Sequence, residues 1–257
     1  MLDHLHIDIL LPAFCAGLLI LLTHVPLGIE VLRRGIIFID LAIAQIAGLG
    51  VLIATQLQED PDAWVIQLAA VVSALLGAAL FNWIEKHDTN VEEALIGVTF
   101  ILAATAGLIV LANDPHAGQQ FKELLVGQIL WVDWSSLIVP AIVTAVVIAI
   151  WLLVPARPSW LFYALFAIAI TTSVQLIGVY LVFASLILPA LSARRHRLQT
   201  SGRAAIVTGM LVGLTGYLVG LTASSLFDLP SGPMIVWSLA IAALAVFLFD
   251  KRLAKNT

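Results

Sequence analysis

A chain of 257 residues that is 61% hydrophobic and 11% charged, with a mean hydropathy of +1.08, is not an ordinary soluble domain, in which about 25% of residues carry charge. Twelve Lys and Arg against sixteen Asp and Glu give a net charge of −4 and no basic stripe, which excludes nucleic acid as a partner. The single cysteine, Cys15, excludes a disulfide framework and a thiolate metal cluster.

The apolar residues gather in runs of about 20, the length a helix needs to cross about 30 Å of hydrocarbon. The predicted class is all-α: one polytopic transmembrane domain over residues 1–257 with eight or nine crossings. The first run, 7–23, has no Lys or Arg before it and no small-residue cleavage site after it, so a retained helix is expected, not a signal peptide. Arg33 and Arg34 mark the next loop as cytoplasmic. Runs at 36–56, 64–84 and 93–112 follow. The loop QLQEDPDA (56–63) has no Lys or Arg and is expected to face outward.

The stretch 113–135 mixes Gln119, Gln120, Lys122 and Glu123 with Leu124, Leu125, Ile129 and Trp131, the pattern of a helix lying at the membrane interface. After 136–154, Arg157 returns the chain to the inside. The next run, 160–192, is too long for one span and short for two, so a break near Thr172–Gly178 is predicted. Such breaks persist at membrane depth only where they are buried or line a cavity. Arg194, Arg195, Arg197 and Arg203 mark the following loop as cytoplasmic. Runs at 204–225 and 233–249 are joined by LFDLPSG (226–232), without Lys or Arg, before the basic tail of Lys251, Arg252 and Lys255.

There is no G-x-x-x-x-G-K-[ST] sequence to cradle nucleotide phosphates, so the chain is not expected to hydrolyse ATP. Protease and hydrolase motifs are also absent. The informative residues are the polar ones inside apolar runs, because an intramembrane acid costs roughly 2.5–3.5 kcal/mol on insertion scales. Asp40 is the clear case, six residues past Arg34 and so about 9 Å along a helix. It is a candidate cation ligand, with pairing to a basic loop residue or helix capping as the alternative. Gln45 lies five positions on, about 140° round the axis, and shares a site with Asp40 only if a neighbouring helix or a second copy closes the gap. The histidines at 4, 6, 24, 87, 116 and 196 have no diagnostic spacing and are expected at surfaces. Small residues, as in GLG (48–50) and SALLGAA (73–79), imply close helix packing.

Five stretches in order resemble the membrane permeases of ATP-binding-cassette importers for divalent transition metals: VLRRGIIFIDLAIAQIAGLG (31–50), NVEEALIGVTFILAATAGL (90–108), FKELLVGQILWV (121–132), LIGVYLVFASLILPALSARR (176–195) and DLPSGPMIV (228–236). The resemblance implies a multi-pass permease of the bacterial inner membrane that forms a homodimer. It also implies cytoplasmic ATPase subunits and an extracytoplasmic metal-binding protein as partners. No permanently bound cofactor is implied; the metal is cargo, zinc in preference to manganese or iron. A self-sufficient secondary metal transporter is the alternative, but neither a second intramembrane acid nor an internal repeat supports it. By the same resemblance, a coupling region spans about 178–203, with Gly178, Pro189, Arg194 and Arg195 part of the element that couples to the ATPase, and Asp228, Pro230 and Gly232 form an outward turn near the entrance. Many family members place a histidine one turn after the acid; here that position is Ala44. Asp40 carries over without it, so either Gln45, another helix or the Asp40 of a second copy completes the site, or the path is only weakly coordinating.

Overall fold

The computed structural model describes residues 7–58, 61–87, 91–112, 125–154, 156–193 and 202–255. These form α1 (Ile7–Arg34), α2 (Ile39–Leu57), α3 (Ala63–His87), α4 (Glu92–Val110), α5 (Ile138–Leu153), α6 (Ser159–Ile177), α7 (Val179–Ser192), α8 (Gly202–Phe227) and α9 (Ser231–Lys255). Seven are long and apolar enough to cross a membrane; α5 and α7 are shorter, at 16 and 14 residues. The basic ends of α1 and α3, Arg157 after α5 and the basic tail fall on one side only if α5 and α7 both cross. That places the start of α1 outside.

The predicted break in the long run is at Gly178. Its N–H donates to Val174 O at 2.8 Å, ending α6, and its carbonyl accepts from Val182 N at 3.1 Å, starting α7. With φ at +78°, the position suits a residue without a Cβ. A 14-residue helix reaches about 21 Å, so a crossing by α7 begins below the outer surface. The segment between α4 and α5 comes in to meet this turn. There Gly127, also at positive φ, touches Ile177 and Gly178 backbone to backbone; a Cβ on Gly127 would lie 2.1 Å from the carbonyl of Ile177. Irregular backbone at this depth is tolerated because it is enclosed by protein.

Two groups of helices flank the α6–α7 pair. α2 packs on α3 and α4, and this group meets α6; α1 and α9 pack on α7, with α8 against both. The close approaches are made by glycines that lack a side chain to hold helices apart. In α8, Gly209 and Gly213 receive Val25 and Leu21 of α1, whereas Gly216 and Gly220 receive Leu239 and Ile235 of α9. The outer faces of α3, α4, α5, α8 and α9 carry exposed Leu, Ile and Val, as lipid contact requires. A Cβ at Gly220 would stand 2.5 Å from the Ile235 Cα, so Gly220→Ala must push backbone aside, at about 1–3 kcal/mol. Gly97 in α4 has nothing within 4 Å of the same atom, and Gly97→Ala is expected to stabilise by about 0.5–1 kcal/mol. Thermal unfolding of the two purified variants should therefore move in opposite directions.

Two expectations are revised. α1 continues to Arg34 without a loop after residue 23, so His24 is fully buried inside it, not at a surface. The Thr23 hydroxyl already donates to Ile20 O at 3.0 Å, so His24 Nδ1, 3.1 Å away, is the donor of that pair. Thr23 and His24 read as a polar end to the first run, yet both are buried within the helix. Asp40 lies in the first turn of α2, after the four-residue turn 35–38, and so nearer the cytoplasmic edge than a continuous helix from Arg34 would carry it. Of the expected interfacial helix, 113–124 lies outside the described residues; the remainder includes a 3-10 turn at Ile129–Trp131.

Candidate functional site: a groove and the acids beneath it

An open groove of about 800 Å³ lies between α2, α4, α7 and α9. Leu41, Phe100, Phe183 and Trp237 make its walls apolar; Gln45 and Tyr180 bring an amide and a phenol to it. The period of α2 decides which residues share this face. Leu41 and Gln45, one turn apart, line the groove. Asp40 and Ala44, also one turn apart, lie on the buried stripe at 1% exposure each. The structure therefore does not bring Asp40 and Gln45 together. At Ala44 an imidazole would overpack a filled interface. Among the described residues, no three His, Cys, Asp or Glu side chains converge to hold a metal ion.

Asp40 faces the free N–H groups of its own first turn, at Asp40 and Leu41, without closing a hydrogen bond from either oxygen. The N-terminal dipole of α2 offsets part of its burial. Around it the cytoplasmic ends of five helices meet. Glu93 of α4 accepts from Phe38 N at 3.2 Å, bracing the turn that leads into α2. Arg34 is the hub: Nε donates to Glu30 at 2.9 Å, Nη1 to Glu85 of α3 at 2.7 Å and to Ser159 of α6 at 3.4 Å. Its guanidinium lies 4.2 Å from the Phe162 ring centre, a favourable place for a cation. Beside it Tyr163 donates to Glu92 at 2.5 Å. Sequence reasoning took Arg34 only as a topology marker and left Glu85, Glu92 and Glu93 unassigned. Their positions at cytoplasmic span ends were the available signal, since acids and an arginine at one membrane surface invite pairing.

Gly178 forms the α6–α7 turn described above. Pro189 is buried near the end of α7, its carbonyl accepting from the Ser192 hydroxyl at 2.6 Å and from Ala193 N at 3.2 Å; Arg194 and Arg195 lie outside the described residues. On the outward side, Asp228 adopts φ +53°, a conformation Asp tolerates better than most. The Ser224 hydroxyl closes the turn onto Leu229 O at 2.6 Å. Pro230 is exposed and precedes α9, whereas Gly232 is already helical and buried, where a Cβ would meet Val126 O at 2.9 Å. Gly232 thus serves packing, and the turn ends before it.

A sequence profile of the ABC 3 transport family matches residues 6–158 and 153–250. The high-affinity zinc uptake system membrane protein ZnuB of Haemophilus influenzae is 23% identical over 249 residues, covering 89% of this chain and 93% of that protein. A probable iron transport system membrane protein of the same organism is 23% identical over 205 residues, covering 72% of each. Among solved structures, PsaBC from Streptococcus pneumoniae in complex with Fab contains a chain of the same fold, with a TM-score of 0.71, 24% identity, and coverage of 96% of this chain and 92% of that one.

Proposed function

The chain belongs to the ABC 3 transport family, and we propose that it is the membrane-spanning subunit of an importer that carries a divalent transition metal, zinc before manganese or iron, into the cytoplasm. Its cargo would come from an extracytoplasmic binding protein. Similarity to the zinc uptake membrane protein across nearly the whole of both chains carries this reading; the similarity to an iron transport membrane protein keeps the choice of metal open to experiment. The chain is a multi-pass membrane protein with no phosphate-cradling loop, so ATP hydrolysis is assigned to separate subunits that dock on the cytoplasmic side toward the end of α7; Gly178, at the outer end of α7, lies away from them.

A groove open along one side is half of a passage. We assign its closure to a second copy of the chain, so that Gln45 and Tyr180 of each would border a shared path, with Asp40 on the buried face of α2 beside it. One amide and one phenol per chain hold a divalent cation weakly, and weak holding suits a conduit, because a tightly bound ion would not leave. Movement of α7 about the Gly178 turn is the means by which ATPase closure would reach the groove.

Proteoliposomes decide between this and a self-sufficient carrier. Zinc uptake is expected only when the chain is reconstituted with its ATPase and binding protein and ATP is supplied. Uptake by the chain alone, without ATP, would overturn the assignment.

A further inference from the structure

Beside the groove lies a second, open cavity of about 640 Å³, bordered by α2, α3, α6 and the segment between α4 and α5. It belongs to the outward half: Thr55 stands near the outer end of α2, Ile66 near the outer end of α3, and Thr171 and Gln175, one turn apart, near the outer end of α6. The Gly127–Gly178 contact stands between it and the groove, since Val126 and Val179 line the groove while Gly127 and Leu176 line the cavity.

The polar lining is neutral, namely Thr55, Gln128, Ser136, Thr171 and Gln175, with no charged side chain among the lining residues. Thr171 is 1% exposed and its hydroxyl has no hydrogen-bond partner, an unmet demand beside an otherwise accommodating space. The other two hydroxyls direct their protons away from the cavity. Thr55 donates to Leu52 O at 2.9 Å, and Ser136 donates to the Asp133 carboxylate. Both therefore have lone pairs left to offer. Lone pairs accept from the outward-pointing hydrogens of water bound to a cation and repel an anion. At the mouth, hydrogen bonds from Ser136 and Ser135 hold the exposed Asp133 carboxyl down to about 2, so it is charged at physiological pH. The described outward turns also carry Asp62 and Asp228 and no Lys or Arg. A cation with six waters occupies about 200 Å³ at about 30 Å³ per water, well within the cavity.

We propose that this cavity is an entrance station for a hydrated divalent cation, held through its water shell by Thr171, Gln175, Gln128 and the hydroxyl oxygens of Thr55 and Ser136, before the metal passes the Gly127–Gly178 partition into the groove. This rests on the reading of the cargo as a metal. Neutral oxygens cannot strip the water shell, so the station concentrates the ion without trapping it.

Cysteine accessibility tests it directly, because Cys15 is the only native cysteine and can be replaced by serine. In intact cells, Thr171→Cys in that background is expected to react with an impermeant cationic methanethiosulfonate added outside, and millimolar zinc should slow the reaction. Zinc should leave the labelling of Asp228→Cys on the outward turn unchanged. Failure of Thr171→Cys to label, or labelling at the same rate with and without zinc, overturns the station; labelling only by an apolar reagent would assign the space to lipid. Thr171→Val, which removes a hydroxyl without a partner and keeps the shape, should fold normally. It is expected to raise the KM for zinc uptake by about three- to tenfold, one hydrogen bond's worth, with the maximal rate kept. Thr172→Val, whose hydroxyl is already bonded to Ile168 O at 2.9 Å, should leave KM unchanged, and an unchanged KM in Thr171→Val also counts against the station. If the wild-type chain moves no metal but zinc still protects Thr171→Cys, the transport reading fails and the station stands.

Discussion

Arg34→Ala is expected to be the most damaging single substitution at the cytoplasmic surface, lowering stability by about 1–3 kcal/mol, the cost of taking the charged donor from a partly shielded carboxylate. The Arg34 side chain is 15% exposed and joins Glu30 on its own helix to Glu85 on α3. Its removal leaves Glu85 without a cation, while Glu30 keeps its bonds from Arg33, and takes the guanidinium from the face of Phe162. Arg34→Lys keeps the charge but cannot donate from two directions with fixed geometry, so it should fall between wild type and alanine. Thermal unfolding in detergent and the yield of inserted protein check both. An Arg34→Ala protein as stable as wild type would show that the hub holds no helices together.

Gly127→Ala is the second large effect, and it acts by a different route. Two penalties coincide there. The residue sits at φ +67°, where a side chain costs roughly 1–2 kcal/mol. The new Cβ would also fall 2.1 Å from the Ile177 carbonyl, forcing a backbone shift of the overpacking kind at about 1–3 kcal/mol. Because the contact stands between the outer cavity and the groove, transport should fall further than stability alone accounts for. Comparing zinc uptake per inserted molecule with unfolding temperature separates the two contributions. A variant that loses stability and keeps full uptake per molecule would confine the contact to a structural role.

Much of the architecture was legible because membrane insertion imposes simple arithmetic. Run lengths gave the spans, and arginine positions gave the sides. The parity conflict in 160–192 led to a predicted break that the structure places at Gly178. Short connections and long apolar runs leave few alternatives. What escaped was set by contacts distant in sequence. Nothing local to His24 says that α1 continues past it; burial against neighbouring helices decides that. The angular separation of Asp40 and Gln45 was readable from the helical period, but not which of them would face a cavity, because that depends on where α7 and α9 pack. The Arg34 hub joins residues 51 and 125 positions apart, and the Gly127–Gly178 contact joins two turns from separate segments. Thr171 carried no signal in the chain because an isolated hydroxyl in an apolar helix commonly bonds its own backbone, and only the packed structure shows that this one does not.

The most direct measurement is metal-specific uptake in cells lacking this chain, with zinc, manganese and iron supplied under equal limitation. Loss of zinc uptake and of growth at limiting zinc, with manganese and iron uptake retained and zinc uptake restored by the wild-type chain, is the expected result. Zinc uptake that continues unchanged while manganese or iron uptake is lost would contradict the proposed cargo, and unchanged uptake of all three would contradict a role in metal import.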